Sequence, residues 1–396
     1  MKISWKEFIL WPAVIIGFFI VGKNVENSFL KNLAIVSAIG VEKEEDLYKV
    51  TIQVISPTAS QKEATGDLGA VVYEQTGRTF SEAVRLASQK VSRYLFLDDT
   101  EVFIMDEELA KENGIKEAID FLIMEPNVTS NLQVFISKGT KPGEILKIFT
   151  PIQKISARRI KEIARNIGSD LGTAVPVYPN KIKNYLLNQT TAQISIPYLQ
   201  VEGDAGTGMK KANIEEFDPP AKIKIGGMAV FRNDKLEGFL DTEQSKILLL
   251  LEKKLERTLF EAGCPNGEKG FTSMNVSKYK SKFKPKVING MPGFDISVKL
   301  DGEVIETSCS LDFTLPSNKE YEKVFTAELQ KQIEELIEQS QEDNLDYIGF
   351  GKRLYTRKPQ LWSEIEKKWE SVYPDMRTNI EVEVVITEFG DVMKLR

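Results

Sequence analysis

The sequence is poor in the side chains that usually perform chemistry. It contains no histidine, which is the usual general base near neutral pH and the commonest metal ligand. Histidine-dependent catalytic triads and histidine-ligated zinc sites are therefore excluded. The two cysteines, Cys264 and Cys309, are too few for a tetrathiolate metal site within one chain. Two buried, unpaired thiols are the favoured interpretation, and a disulfide is the alternative if the chain lies outside the cytoplasm.

Two other patterns resemble functional sites and fail on their details. The stretch GDAGTGMKK has the first spacing of a phosphate-binding P-loop at Gly203 and Gly208, but Met209 stands where that loop needs lysine. A surface loop is predicted instead. The 58 acidic residues include enough carboxylates for glycoside hydrolysis, yet no pair has a context that indicates a raised pKa. We therefore expect no enzymatic activity, no cofactor and no metal site.

Composition indicates a folded protein of more than one domain. The 396 residues are 42% hydrophobic and 28% charged, which favours two or three domains that each bury a core. The net charge of −6 provides no overall positive field for a phosphate backbone, so nucleic acid is not an expected partner.

An apolar segment near the N-terminus predicts a membrane anchor. From Phe8 to Gly22 every residue is apolar, glycine or proline, and Lys2 and Lys6 precede it, which orients the N-terminus inward and the body outward. No small-residue cleavage site follows, and no cysteine is placed for lipid attachment. A single-pass, uncleaved anchor is predicted, with a buried core helix as the alternative. The predicted anchor residues are Phe8, Ile9, Leu10, Trp11, Ala13, Val14, Ile15, Ile16, Phe18, Phe19, Ile20 and Val21.

Hydrophobic periodicity divides the remaining chain into three predicted domains. The first, residues 25 to 145, is predicted to be α/β, and the second, smaller domain spans residues 146 to 242. The third, residues 243 to 396, is predicted to be α+β. The fold class predicted for the whole chain is α+β, with three domains of mixed or antiparallel sheets covered by helices, preceded by residues 1 to 24 as a transmembrane helix.

Alternating and helical patterns give the individual elements. Predicted strands lie at 33–42, 48–55, 69–77, 101–105, 132–137, 192–201, 222–240 (two strands around an Asn233–Asp234 turn), 270–287, 293–313 and 379–386. Predicted helices lie at 79–95, 114–124, in three pieces over 142–188, at 242–263, around 324–337 and at 359–373. In the last helix, Trp362 and Trp369 are seven residues apart on one face, which favours a core stripe over an interface.

Four segments carry a resemblance to a known family. They are NLAIVSAIGVEKEEDLYKVTIQVISP, GRTFSEAVRLASQKVSRYLFLDDTEVFIMDEELAKENGIKEAIDFLIMEPNV, GGMAVFRNDKLEGFLDTEQSKILLLL and IGFGKRLYTRKPQLWSEIEKKWESVYPD. In this order they resemble the Ger(x)C family, the C subunits of nutrient germinant receptors in spore-forming Firmicutes. Family members normally carry a lipobox cysteine just before the first strand. Here the matching place is near Lys23, so the chain is lipoprotein-like without the lipobox cysteine.

The resemblance implies a non-enzymatic, three-domain subunit on the outer face of the spore inner membrane. Its implied partners are an A-type and a B-type receptor subunit and the membrane, and a small-molecule germinant would be met only through the complex. In the resemblance region, Gly227, Phe231, Gly238 and Phe239 are candidates for partner contact, with turn and core packing as the alternative reading. The alternative function is an extracytoplasmic solute-binding module that captures the germinant directly.

Overall fold

Two β-sheets organise the chain. The structure, a computed structural model, describes residues 32–55, 68–187, 194–288, 291–309, 315–389 and 393–394. Within these ranges one sheet has nine strands and the other has five. This mixed α+β architecture agrees with the fold class that the sequence predicts. The predicted anchor, Phe8 to Val21, lies outside the described residues.

The nine-stranded sheet is parallel at its centre and antiparallel at both ends. Its strand order is β3-β2-β1-β5-β6-β7-β8-β9, with β4 added beside β1. The strands β1, β5, β6 and β7 run parallel, whereas the β1-β2-β3 and β7-β8-β9 runs are antiparallel. Its strands are β1 Leu33–Glu44, β2 Leu47–Ile55, β3 Ala70–Gly77, β4 Tyr94–Phe96, β5 Val102–Asp106, β6 Gln133–Ser137, β7 Ser195–Gly203, β8 Ala221–Arg232 and β9 Lys235–Leu240.

Helices cover both faces of this sheet. Every residue of β5 and β6 is buried, as expected for parallel strands packed on both sides. One face packs against α1, α2, α3 and α6, and the opposite face packs against α4 and α5. The helices of this region are α1 Phe80–Ala87, α2 Glu107–Glu112, α3 Lys116–Met124, α4 Pro142–Lys147, α5 Ser156–Asp170, α6 Pro179–Leu187 and α7 Ala205–Gly208.

The helix α8 (Thr242–Leu251), which is buried from Ser245 to its end, follows the first sheet. It begins with a capping box at Asp241, whose carboxylate accepts a hydrogen bond from the Gln244 N–H at 2.8 Å. Residues Ile247 to Leu251 are each at most 2% exposed. They pack against both Leu240, at the end of the first sheet, and the core of the second sheet. The two sheet regions therefore share one hydrophobic core at α8.

The five-stranded sheet is covered by helices on one face only. Its order is β10-β11-β12-β13-β14, antiparallel except for the parallel pair β12 and β13. The strands are β10 Thr258–Gly263, β11 Phe271–Ile288, β12 Met291–Thr307, β13 Arg377–Phe389 and β14 Met393–Lys394. The helices are α9 Leu315–Glu342, α10 Phe350–Arg357, α11 Pro359–Ile365 and α12 Trp369–Val372. Along β11, Ser281 and Phe283 are buried under them, whereas Lys280, Lys282 and Lys284 face solvent.

A disulfide joins Cys264 to Cys309, and both residues are buried. The favoured interpretation of two unpaired thiols was therefore wrong. Strands β10 and β12 flank β11, and the register places Gly263 opposite Phe271 on one side and Thr307 opposite Thr272 on the other. Because this three-strand register is set by pairing between distant segments, nothing local in the sequence reveals that the two cysteines meet.

Most predicted elements are present, and two predicted helices are shorter than expected. The helix predicted over 242–263 ends at Leu251, because Lys253 takes a left-handed conformation (φ 62°) and residues 258 to 263 pair with β11 instead. The helix predicted over 79–95 ends at Ala87, and Tyr94 to Phe96 then pair with β1. The boundaries proposed at residues 145 and 242 stay a prediction; strands from both sides of residue 145 lie in the nine-stranded sheet.

Candidate functional site

Two of the four residues singled out for partner contact lie inside the fold. Phe231 is fully buried in the core of the first sheet. Gly227 has φ 139°, and a side chain there would start 2.3 Å from the Leu240 carbonyl oxygen. The neighbouring Met228 N–H donates to the Ser245 hydroxyl at 2.9 Å, which ties β8 to the first turn of α8. Close packing of backbone explains this glycine.

Gly238 and Phe239 lie on β9, the last strand of the nine-stranded sheet. The half-buried Phe239 ring meets the Tyr198 ring edge-on, with centroids 4.8 Å apart. The Lys138 ammonium lies 4.6 Å from the Phe239 centroid, and the Lys111 ammonium lies 5.7 Å from it. We name Tyr198, Phe239, Lys111 and Lys138 the edge cluster. It places an aromatic ring beside a sheet edge that the described strands leave unpaired; aromatic residues are enriched at protein interfaces, and an unpaired edge can pair with another chain.

A buried carboxylate, Asp346, holds the start of α10. It accepts hydrogen bonds from the Gly349 and Phe350 N–H groups, each at 2.8 Å, and from the Gly351 N–H at 2.7 Å. Burial raises the pKa of Asp346 to about 7, although these three hydrogen bonds and the Arg353 charge oppose that shift. Nothing local in the sequence indicates this role, because an aspartate before a glycine-rich turn is common on surfaces.

A large cleft lies where the two sheet regions meet. We name it the junction cleft, and its volume is about 1300 Å³. One wall comes from α6 and its neighbours, including Tyr178 and Lys181. The other wall comes from the segment after α8 and from α10, including Lys254 and Lys352. The lining residues are up to 236 positions apart in the chain, from Ser130 to Glu366, so the sequence could not group them.

Other kinds of site have no support in the described part of the chain. No group of three or more cysteine, aspartate or glutamate side chains there is arranged to hold a metal ion. In GDAGTGMKK, Gly203 ends β7 and the short helix α7 follows, capped by the Asp204 carboxylate, which accepts from the Thr207 N–H at 2.6 Å. Trp362 and Trp369 are core residues, as predicted, with ring centroids 5.3 Å apart and exposures of 2% and 5%.

A helix that crosses a bilayer must be both long and predominantly apolar. Among the helices that the structure describes, none combines the length and the apolar character that a bilayer span requires.

Comparisons with known proteins bear on both sheet regions. A family model described as "Spore germination protein N-terminal domain" matches residues 28–201, and one described as "Spore germination B3/ GerAC like, C-terminal" matches residues 226–390. Spore germination protein KC of Bacillus subtilis (strain 168) is 29% identical over 372 residues, which cover 91% of this chain and 90% of that protein. Spore germination protein GerQC of Bacillus cereus is 23% identical and covers 81% of this chain and 82% of that protein.

A solved structure has the same fold. The crystal structure of the GerBC protein matches with a TM-score of 0.57 and 17% identity, covering 88% of this chain and 96% of that one. The match therefore extends over both sheets. With the two family models spanning most of the sequence, these comparisons establish that the chain belongs to the Ger(x)C family of spore germination proteins.

Proposed function

We propose that this protein is the non-enzymatic C subunit of a nutrient germinant receptor and that receptor assembly and spore germination require it. The observation that carries the proposal is the match of two spore germination family models to both sheet regions of one chain. The relatives that cover almost the whole chain are also spore germination proteins by name. Family membership thus supports a role for the entire described body and not for one segment of it.

In this proposal Phe8 to Val21 tether the body to the outer face of the spore inner membrane. Only residues 22 to 32 separate this apolar run from β1, and 11 residues span at most about 40 Å. The tether would therefore keep the first sheet close to the bilayer and raise its effective concentration for membrane-bound partners. The buried disulfide supports an extracytoplasmic position, because disulfides persist in oxidising compartments.

The proposed partners are the A-type and B-type receptor subunits. The edge cluster is the surface we assign to contact with one of them, because it combines an open strand edge with the half-buried aromatic ring of Phe239. Coupling would occur by contact: a germinant that binds elsewhere in the complex shifts a conformational equilibrium, and this subunit stabilises the assembly in which that shift takes place.

Deletion of the gene tests the proposed role. We expect the A-type and B-type subunits to disappear from the spore inner-membrane fraction, and germination on a nutrient panel to fail for the nutrient that this receptor senses. Re-expression of the full chain should restore both. Normal membrane levels of the two subunits together with normal germination on every nutrient would contradict the proposal.

The tether has a separate test with a matched control. The substitution Ile15→Arg lies in the middle of the apolar run. It should raise the free energy of inserting this segment into the membrane by about 2.5–3.5 kcal/mol and move the protein to the soluble fraction. The same change at Ile152, which is 93% exposed in the body, should leave it in the membrane fraction. Equal membrane retention of both variants, or a mature N-terminus downstream of Asn24, would contradict anchoring by residues 8 to 21.

A second candidate function, direct capture of a solute, is favoured by one observation, the junction cleft. Saturable binding of the nutrient to the purified full chain would support this function. The scaffold function predicts that the nutrient binds only when the other subunits are present.

A further inference from the structure

We propose that the junction cleft binds a small organic anion that carries at least two negative charges on carboxylate or phosphate groups. The inference concerns this cleft alone and holds whether or not the chain assembles into a receptor. It rests on the charge balance of the lining, on the way its cations are held, and on the position of the cleft between two regions that share a core.

The lining has a strong excess of positive charge. Its charged residues are Lys181, Lys254, Lys352, Arg353 and Arg357 against Glu252 and Glu366. The whole chain carries a net charge of −6, so this excess runs against the overall balance. Segregated cations in a walled cleft raise the local concentration of anions.

The two arginines are fixed by the protein and form a preorganised positive wall. The Arg353 guanidinium donates to the carbonyl oxygens of Ile348, Gly349 and Leu251 and stacks on the Phe283 ring, 3.9 Å from its centroid. The Arg357 guanidinium donates to the Phe283 carbonyl oxygen. Carbonyl oxygens hold these groups in place without cancelling their charge, although the nearby Asp346 and Glu252 carboxylates balance part of the Arg353 charge.

The lysines divide into one that is paired and two that are available. Lys254 forms an ion pair with Glu252. For Lys181 and Lys352, no ion pair with a carboxylate is found within the described ranges of the chain. Both side chains are exposed. Neither ammonium group is paired with a carboxylate in this part of the chain, so both can donate to an anionic ligand.

Lys181 shows the electrostatic cost of placing several cations in one cleft. The surrounding walls, followed by the Lys254 charge, lower its pKa to about 8. The groups that act on it are Lys254 and Lys352, which lower the pKa, and Glu252, which raises it. A bound anion would reverse this balance by favouring the charged ammonium. Affinity for the anion should therefore fall as the pH rises from 7 to 9, because Lys181 then loses its proton.

The shape of the cleft favours a small molecule. Two walls from different regions enclose it, and ligand sites commonly lie at such junctions. Tyr178 and Tyr355, 37% and 52% exposed, place aromatic rings and hydroxyl donors at its surface. A neutral nutrient would leave the exposed lysines of the cleft, Lys181 and Lys352, without a counter-charge.

Calorimetric titration of the full chain in detergent tests the proposal, with citrate and inorganic pyrophosphate as probes and chloride at equal ionic strength as the reference. The double substitution Lys181→Met and Lys352→Met should weaken probe binding by at least about tenfold, because each lost charged hydrogen bond costs about tenfold or more. The matched control, Lys280→Met and Lys282→Met, removes the same charge from the exposed face of β11 and should leave affinity within about twofold.

Thermal unfolding of the unsubstituted protein gives a second measurement that does not depend on how the variants fold. Citrate or pyrophosphate should raise Tm more at pH 7 than at pH 9, beyond the effect of chloride. The relative response to the two probes distinguishes a carboxylate site from a phosphate site. Absence of saturable binding by either probe, or equal weakening by the control pair, would overturn the proposal. So would binding that only an acidic peptide shows.

Discussion

The two sheet regions reach stability by different means. The first sheet is covered by helices on both faces, so its central strands β5 and β6 are buried along their whole length. The second sheet has one covered face, and its other face exposes lysines of β11 to water. The second region also contains the disulfide, the buried Asp346 and a cluster of aromatic rings. A sheet with one covered face has less apolar area to bury, and these additional constraints compensate for it.

The largest effect on stability should come from the cluster of aromatic rings around Phe350. Phe350 is fully buried, with its ring centroid 5.0 Å from that of Phe294 and 5.7 Å from that of Phe283. Phe350→Ala should lower the free energy of unfolding by about 3–5 kcal/mol. Amide hydrogen exchange of the full chain should show the loss in β11 to β13 and α10. The matched change Phe103→Ala, at an equally buried site in β5, should instead expose β1, β5 and β6. Identical exchange patterns would break the comparison.

Removal of the disulfide should have the next largest effect. The bond closes a separation of 45 residues, and its loss should cost about 2–4 kcal/mol, mainly by loosening the unfolded chain. Replacement of both Cys264 and Cys309 by serine should lower the urea midpoint, and reductant should act on the unsubstituted protein alone. Protection should fall in β10 and at the ends of β11 and β12. Loss of protection in the first sheet instead would contradict the assignment of this constraint to the second region.

Asp346 should make the stability of the second region depend on pH. Its pKa is about 7 in the folded protein and about 4 when unfolded, so the folded state binds more protons between these values. The free energy of unfolding should therefore fall as the pH rises from 4 to 7, by up to about 1.4 kcal/mol per pH unit. Asp346→Asn should flatten this slope while costing about 1–3 kcal/mol at pH 5, because the Gly351 N–H loses its acceptor. An unchanged slope in the variant would show that other groups cause the dependence.

The smallest effect on stability should come from the edge cluster of the first region. Phe239→Ala removes one face of the cation–aromatic contacts and should cost about 1 kcal/mol. Its effect on co-purification with the A-type and B-type subunits should be much larger, because we assign the cluster to partner contact. The control Phe217→Ala, at a fully exposed position, should change neither measurement. Loss of stability without loss of co-purification would make Phe239 a packing residue only.

Local patterns predicted most of the elements and little of the sites. The alternation in β2 and the Asn233–Asp234 turn were predicted correctly, because both depend on residues that are neighbours in the chain. Asn233 adopts a positive φ of 56° in the turn. The end of α8 was missed because pairing of residues 258 to 263 with β11 overrides helical periodicity. The junction cleft could not be predicted because it, too, depends on contacts between distant segments of the chain. Lys181 and Lys352 come together only after two sheets have packed around α8.

The buried helix α8 also decides how the molecule can be divided. Ile247 to Leu251 are enclosed from every direction by side chains of both halves, including Leu240 on one side and Leu336 on the other. A truncation at either end of this helix would expose a leucine-rich hydrophobic surface on at least one fragment, and such surfaces promote aggregation. We therefore expect each of the two segments matched by the family models to need the other for folding. A gene that encoded only one of them should yield an insoluble protein.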